Sequence, residues 1–152
     1  AAEPSTMPNL LAMSFEGALA PSFDLRCVRR GPRPGELPDG WGIGYYPGGE
    51  PHAPVLKEAA PPRESLRSEL ARTWEHLEAA IFVVHVRKAT WGPQTDANTQ
   101  PFTRAHGGRD WLFAHAGSLE RRLELPTGTR FLPVGATDSE RVLCALLHRV
   151  AE

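Results

Sequence analysis

Apolar positions along this chain recur with two different periods. After Pro61-Pro62 they return every three or four residues, at Leu66, Leu70, Trp74, Leu77 and Ile81, with arginines and glutamates between them. That spacing predicts an amphipathic helix running as far as residue 81. It leads into "IFVVHV" at 81–86, whose β-branched run predicts a central strand. A second helix is expected from Thr137, with Glu140 three residues on as a capping box and Val142, Leu143, Leu146 and Val150 as its apolar stripe. Shorter runs predict further strands. "NLLAM" at 9–13 reads as a buried strand, and Pro8 before it suits only a strand start or an edge. "WGIGYY" reads as a strand whose glycines admit another backbone or a ligand, and "WLF" at 111–113 as a buried strand ending at His115 and Gly117.

Between these elements the chain is rich in turn residues, at 31–40 ("GPRPGELPDG") and 47–54 ("PGGEPHAP"), while 89–109 reads as a polar loop. With no repeat and no linker, one mixed α/β unit is expected. A length of 152 residues is enough to bury a core without staples. The 17 basic and 18 acidic residues nearly cancel, so no global field draws the chain to nucleic acid or an anionic membrane. The one basic cluster, Arg26, Arg29, Arg30 and Arg33, has no interleaved aromatics for base stacking and reads as a solvated loop. Cys27 and Cys144 lie far apart and outside any metal or redox motif. No run reaches the ~20 apolar residues of a membrane span, and the first residues lack a signal peptide's pattern. These features point to a reducing, cytoplasmic setting.

Candidate chemistry is sparse. None of the six histidines has helical spacing to another with a carboxylate nearby, so no metal site is expected. His85 and His115, each in a strand-like run, fit hydrogen-bonded core residues. No nucleophile elbow or phosphate loop occurs. What remains is polar residues at strand ends and in one loop: Arg87 after "VVHV", Asn98 and Thr99 in a loop, and Asp138 in a first helical turn. An arginine there can clamp a carboxylate through two parallel hydrogen bonds, and an aspartate can hold an ammonium group. Together they meet the needs of an α-amino-acid head group. Singly, Arg87 equally fits a surface ion pair, and Asp138 an acid matched to the helix dipole.

The order of motifs adds to this. "MPNLLAMSF", "PDGWGIGYY", "HVRKATWG", "NTQPF", "FAHAGSL" and "PVGATDSERVLCALL" resemble, in sequence and spacing, the class II glutamine amidotransferases, particularly the small stand-alone type of ergothioneine-pathway and Dug3-like members. The similarity runs from Met7 to Val150. It implies an α+β fold of the N-terminal-nucleophile type, an αββα sandwich of antiparallel sheets. It also implies glutamine hydrolysis by a terminal cysteine, without cofactor or metal. By the same resemblance Arg87 and Asp138 hold the glutamine head group, with Asn98, Thr99 and His115 as further substrate-binding positions.

The departures fall on the chemistry. Pro8 stands at the nucleophile's position, preceded by seven residues, and Ala116 stands at the oxyanion-hole asparagine. Gly117 is left as the possible backbone donor. Loss of one oxyanion donor costs about 10²–10³ in kcat, and loss of the nucleophile removes the covalent route. Leu37 and Gln100 replace histidines of the family pattern. Ser5, Thr6 and Ser14 could replace the nucleophile only after processing.

Residues 1–7 thus read as an extension, and 8–152 as the N-terminal part of a family domain whose sandwich is incomplete at its C-terminal side. An incomplete sandwich exposes an apolar sheet face, so a second chain or self-association is expected. The functional expectation is a degenerate amidotransferase-like domain that binds glutamine or a γ-glutamyl or related amide, or serves as a partner subunit. Two alternatives stand beside it. One is an active amidohydrolase or amide-transferring enzyme of altered chemistry, with His115 or His85 as acid/base, and the other is a purely structural assembly module.

Overall fold

The structure, a computed structural model, describes residues 9–25, 37–73, 77–88, 92–117 and 119–152. Pro8, Cys27, Trp74, the arginine cluster and the 1–7 extension lie outside them. Among the described residues, six strands and two α-helices follow in the order β1 (Asn9–Leu19), β2 (Gly40–Tyr46), β3 (Val55–Glu58), α1 (Leu66–Thr73), β4 (Ala79–Arg87), β5 (Phe102–His106), β6 (Arg109–Phe113) and α2 (Asp138–Val150), with single 3-10 turns at Pro62–Glu64 and Asp96–Asn98. The first four strands form an antiparallel sheet in the order β1-β4-β2-β3, and β5 and β6 form a hairpin.

The alternation of β2 and β4 gives the sheet two unlike faces. Trp41 and Ile43 lie opposite Val86 and Val84, and these four join Phe82, Phe23, Leu25, Ala71 and Leu77 in one core on the α1 side. On the other face, Gly40, Gly42 and Gly44 lie opposite Arg87, His85 and Val83. There the absence of side chains on β2 lets the hairpin and the loop before it approach. The leucine side chain of Leu112 lies against Gly44, and the Tyr46 hydroxyl donates to Asp110 O (2.8 Å) while accepting from Leu112 N (3.2 Å). A second core, of Phe102, Leu143 and Leu147 with Trp111, Phe113 and Phe131 beside it, joins the hairpin to α2. Full burial of such side chains contributes about 1.5–3 kcal/mol each.

Several expectations change. β4 is central, as its β-branched run implies, but the first helix ends at Thr73 and Ile81 belongs to β4. Leu66 and Leu70 are 82% and 62% exposed, while Ser68 and Ala71 face inward. The reason is local. The Ser65 hydroxyl accepts from both Ser68 N and the Trp41 indole (3.0 Å each) and donates to Glu58, which fixes the helix close against the sheet. Small residues fit that approach and leucines do not. β1 is not buried: it is a sheet edge with Leu10 and Leu11 exposed. The loop read at 89–109 contains a strand, β5, because Thr103–His106 find their partners in β6 rather than through any apolar run of their own. β6 itself is half-buried and stops at Phe113. In α2 Leu143 is buried, but Leu146 and Val150 are exposed, and the inward face is completed by Ser139, Glu140, Cys144 and Leu147.

Candidate functional site

At the end of the sheet where β4 stops, the 92–101 loop, the turn after β6 and the start of α2 meet. Arg87 closes β4 and is 5% exposed, buried rather than at the surface. Its guanidinium donates to Pro93 O (3.2 Å) and Gly92 O (3.3 Å). Burial pulls its pKa down, with the Asp39 carboxylate opposing. The chain begins its first strand at this same end, with Asn9 opposite Val86.

Asn98 ties the loop to α2. Its Nδ2 donates to Pro93 O (2.9 Å), the carbonyl that Arg87 also holds, and its Oδ1 accepts from Ala136 N (2.7 Å), two residues before Asp138. Gly135 is needed for this approach, since a Cβ there would stand 2.3 Å from Asn98 Oδ1. Arg87 and Asp138 are therefore linked through Pro93, Asn98 and Ala136. Thr99, fully buried, donates its hydroxyl to Thr95 O (2.9 Å), and its carbonyl accepts from Lys57 Nζ (2.8 Å). Burial lowers the Lys57 pKa.

Asp138 is the first residue of α2, which Thr137 caps by accepting from Glu140 N (3.3 Å). Its Oδ2 accepts from Leu119 N (3.0 Å) and its Oδ1 from Ser139 N (2.8 Å). The other half of the expected capping box is absent. The Glu140 carboxylate, 1% exposed, instead accepts from Val134 N (2.9 Å), Gly135 N (2.7 Å) and Arg104. Glu140 thus holds the segment that enters the helix, so Asp138 rests on a fixed support.

His115 lies just past β6. Its Nδ1 is 3.0 Å from Ser139 Oγ, and Ser139 Oγ is 3.5 Å from Asp138 Oδ1. This is not the order of a Ser–His–Asp triad, in which the carboxylate orients the imidazole rather than touching the serine. Gly117 has φ +138°, a backbone region open to glycine and rarely to other residues, and a Cβ there would lie 3.3 Å from His115 Nε2. Ala116, beside it, offers no side-chain donor.

His85 lies on the glycine face opposite Gly42 and Leu10, almost wholly buried. Among the described residues neither ring nitrogen has a hydrogen-bond partner. Burial, aided by the Arg87 charge, lowers its pKa to about 4, so the ring is neutral. No group of three or more His, Cys, Asp or Glu side chains able to hold a metal occurs among the described residues. The residues that sequence reasoning missed are Glu140 as an anchor, and Lys57 and Gln100 as clamps. Glu140 had a signal in its position in the cap, and Gln100 in its departure from the family's histidine; Lys57 had none.

The fold defines a mixed α/β domain with antiparallel sheets. A family model, "Glutamine amidotransferases class-II", matches residues 7–152, and the chain belongs to that family. It is 35% identical over 148 residues to "Putative glutamine amidotransferase YafJ" of Escherichia coli, covering 97% of this chain and 53% of that protein. To "Probable glutamine amidotransferase DUG3" of Saccharomyces cerevisiae it is 31% identical over 151 residues, covering 91% and 40%. A crystal structure of a predicted glutamine amidotransferase from Pseudomonas aeruginosa is similar at TM-score 0.59 and 28% identity, covering 93% of this chain and 54% of that one. The chain thus spans about half the length of the relatives it matches. Among the described residues no helix is long and apolar enough to cross a membrane.

Proposed function

We propose that this chain is a glutamine-binding, catalytically degenerate amidotransferase-like domain of a cytoplasmic protein. Its ligand is glutamine or a related γ-glutamyl amide, held by Arg87 and Asp138 beside the turn at 115–117. The observation that carries this reading is the Pro93–Asn98–Ala136 link, which fixes the loop of Arg87 against the helix start of Asp138. A ligand carboxylate would share the Arg87 donors with two loop carbonyls. Asp138 Oδ2 accepts one backbone N–H and retains a lone pair for an ammonium group, while Oδ1 takes both the backbone N–H and, at 3.5 Å, the hydroxyl of Ser139. The hydrogen bonds of Asn98 and Thr99 favour supporting roles, and His115 borders the turn.

Hydrolysis is the step the substitutions oppose. Pro8 supplies neither thiol nor free amine, so no covalent intermediate forms by the family's route, and Ala116 leaves Gly117 N–H as the remaining oxyanion donor. The succession of α1, sheet, hairpin and α2 agrees with part of an αββα sandwich. In the same reading, a second chain or a second copy covers the exposed residues Leu10, Leu11 and Ile81.

Calorimetric titration paired with an ammonia assay tests this. Saturable glutamine binding without sustained ammonia release is expected. Asp138→Asn should weaken binding sharply while retaining an acceptor for Leu119 N–H. Sustained glutaminase turnover would favour the active-enzyme alternative. Absence of binding by glutamine and by γ-glutamyl amides would refute the binding reading and favour the structural module.

A further inference from the structure

The hairpin ladder pairs Phe102 with Phe113, and the next pair in the same register two residues on would be Gln100 with His115. The backbone cannot make that pair, because it turns toward the sheet at Gln100 and rests its carbonyl on Gly42. The side chain does so instead. Gln100 Oε1 accepts from His115 N (2.6 Å) and Gln100 Nε2 donates to His115 O (3.1 Å). A primary carboxamide carries the same donor and acceptor as a peptide group, so one side chain satisfies both backbone groups of one residue. Gln100 is 7% exposed, which leaves little water to compete.

We propose that Gln100 is a positioning residue that extends the β5–β6 ladder through its side chain and thereby sets the turn at His115–Gly117. Ser139 holds the imidazole of His115, and Asp138 holds Leu119 N–H beyond the turn. Ala116 and Gly117 lie between these anchors, so the direction of Gly117 N–H depends on where Gln100 fixes His115. Gln100 needs no contact with the ligand to matter. The importance of this for ligand binding rests on the function proposed above, but the positioning itself does not.

Amide hydrogen exchange on the intact chain reads the positioning directly. Gln100→Met keeps the volume and removes both hydrogen bonds. Exchange at His115 should then quicken about ten- to thirtyfold, as expected for two lost hydrogen bonds, while Val84 and Leu143 keep their protection. Unchanged exchange at His115 overturns the proposal. Should that variant not fold, the wild-type protein supplies the measurement: slowed, split side-chain amide resonances of Gln100 support the clamp, and resonances like those of a solvated glutamine overturn it. Glutamine titration adds a second arm. A several-fold weaker affinity in Gln100→Met, with core exchange unchanged, supports a role in the site, whereas unchanged affinity overturns that role. Absence of glutamine binding in the wild type would instead refute the proposed function and leave the exchange result standing.

Discussion

Gly42→Ala tests whether the glycine face of β2 is what seats the site. An added Cβ would stand 2.1 Å from Gln100 O, 2.8 Å from Pro101 Cδ and 2.9 Å from Gln100 C. Ordinary contact begins near 3.4 Å, so the 100–101 segment has to retreat by about 1.3 Å. The obstacle is backbone and a proline ring, neither of which can rotate aside. Overpacking of this kind costs about 1–3 kcal/mol. The retreat also stretches the Gln100–His115 pair and the Lys57–Thr99 bond, each hydrogen bond contributing about 1 kcal/mol. Against this, alanine recovers roughly 0.5–1 kcal/mol of glycine's backbone entropy. The net expectation is destabilisation by about 2–4 kcal/mol. Urea unfolding followed by tryptophan fluorescence should show a lower midpoint at unchanged slope. Gly17→Ala is the control, because nothing lies within 4 Å of a Cβ there. If Gly42→Ala were as stable as Gly17→Ala, the seating of the loop on β2 would be refuted.

Glu140→Ala leaves the Arg104 charge and two backbone N–H groups without their acceptor, and should cost about 3–5 kcal/mol by chemical denaturation. His85 has a folded pKa of about 4 against 6.5 when unfolded, so the unfolded chain binds the extra proton. Its contribution is complete above pH 6.5 and is lost as the pH falls toward 4, by roughly 3 kcal/mol in all. His85→Leu should flatten that part of the stability–pH curve and be neutral or stabilising at pH 7, since no hydrogen bond within the described residues is lost. A chain beginning with cysteine in place of Pro8 and carrying Ala116→Asn should release ammonia from glutamine. The cysteine change alone should be about 10²–10³-fold slower, and Ala116→Asn alone inactive.

The parts of the fold legible in the sequence were those with strong local signals. The β-branched run of β4 marked a central strand, Thr137 marked the start of α2, and the glycines of β2 marked a close approach, which proves to be that of the Gln100 backbone and the side chains of Thr99, Pro101 and Leu112. The parts that were not legible depend on long-range partners. α1 turns its leucines outward because Ser65, beside it, is shared with Glu58 and with Trp41 of β2, and the Trp41 partner is distant in sequence. β5 has no apolar period of its own and exists through β6. At the site, Arg87 and Asp138 stood out by type and position. Gln100 stood out only as a replaced histidine; its role did not, because a glutamine in a loop has no pattern that reveals a side chain acting as a strand.

Keeping the scaffold and keeping the chemistry are physically separate demands here. The anchors Asn98, Glu140 and Gln100 bond backbone groups, and Gly42 and Gly135 make room for them, so losing any one costs stability whether or not a substrate ever binds. Ala116 and Pro8 differ in kind. A small side chain beside a glycine turn leaves no buried group unpaired, and its cost falls on the transition state of a reaction rather than on the folded state. Drift after loss of catalysis would therefore erode the reactive positions first and leave the anchors in place. Arg87 and Asp138 belong to both groups, since each holds backbone as well as offering charge. Their presence alone does not distinguish a binding domain from a structural one. Asp138→Asn does when its stability is measured alongside, because it removes the charge a ligand needs while its single amide oxygen still accepts from Leu119 N–H, at the loss of the Ser139 N–H bond.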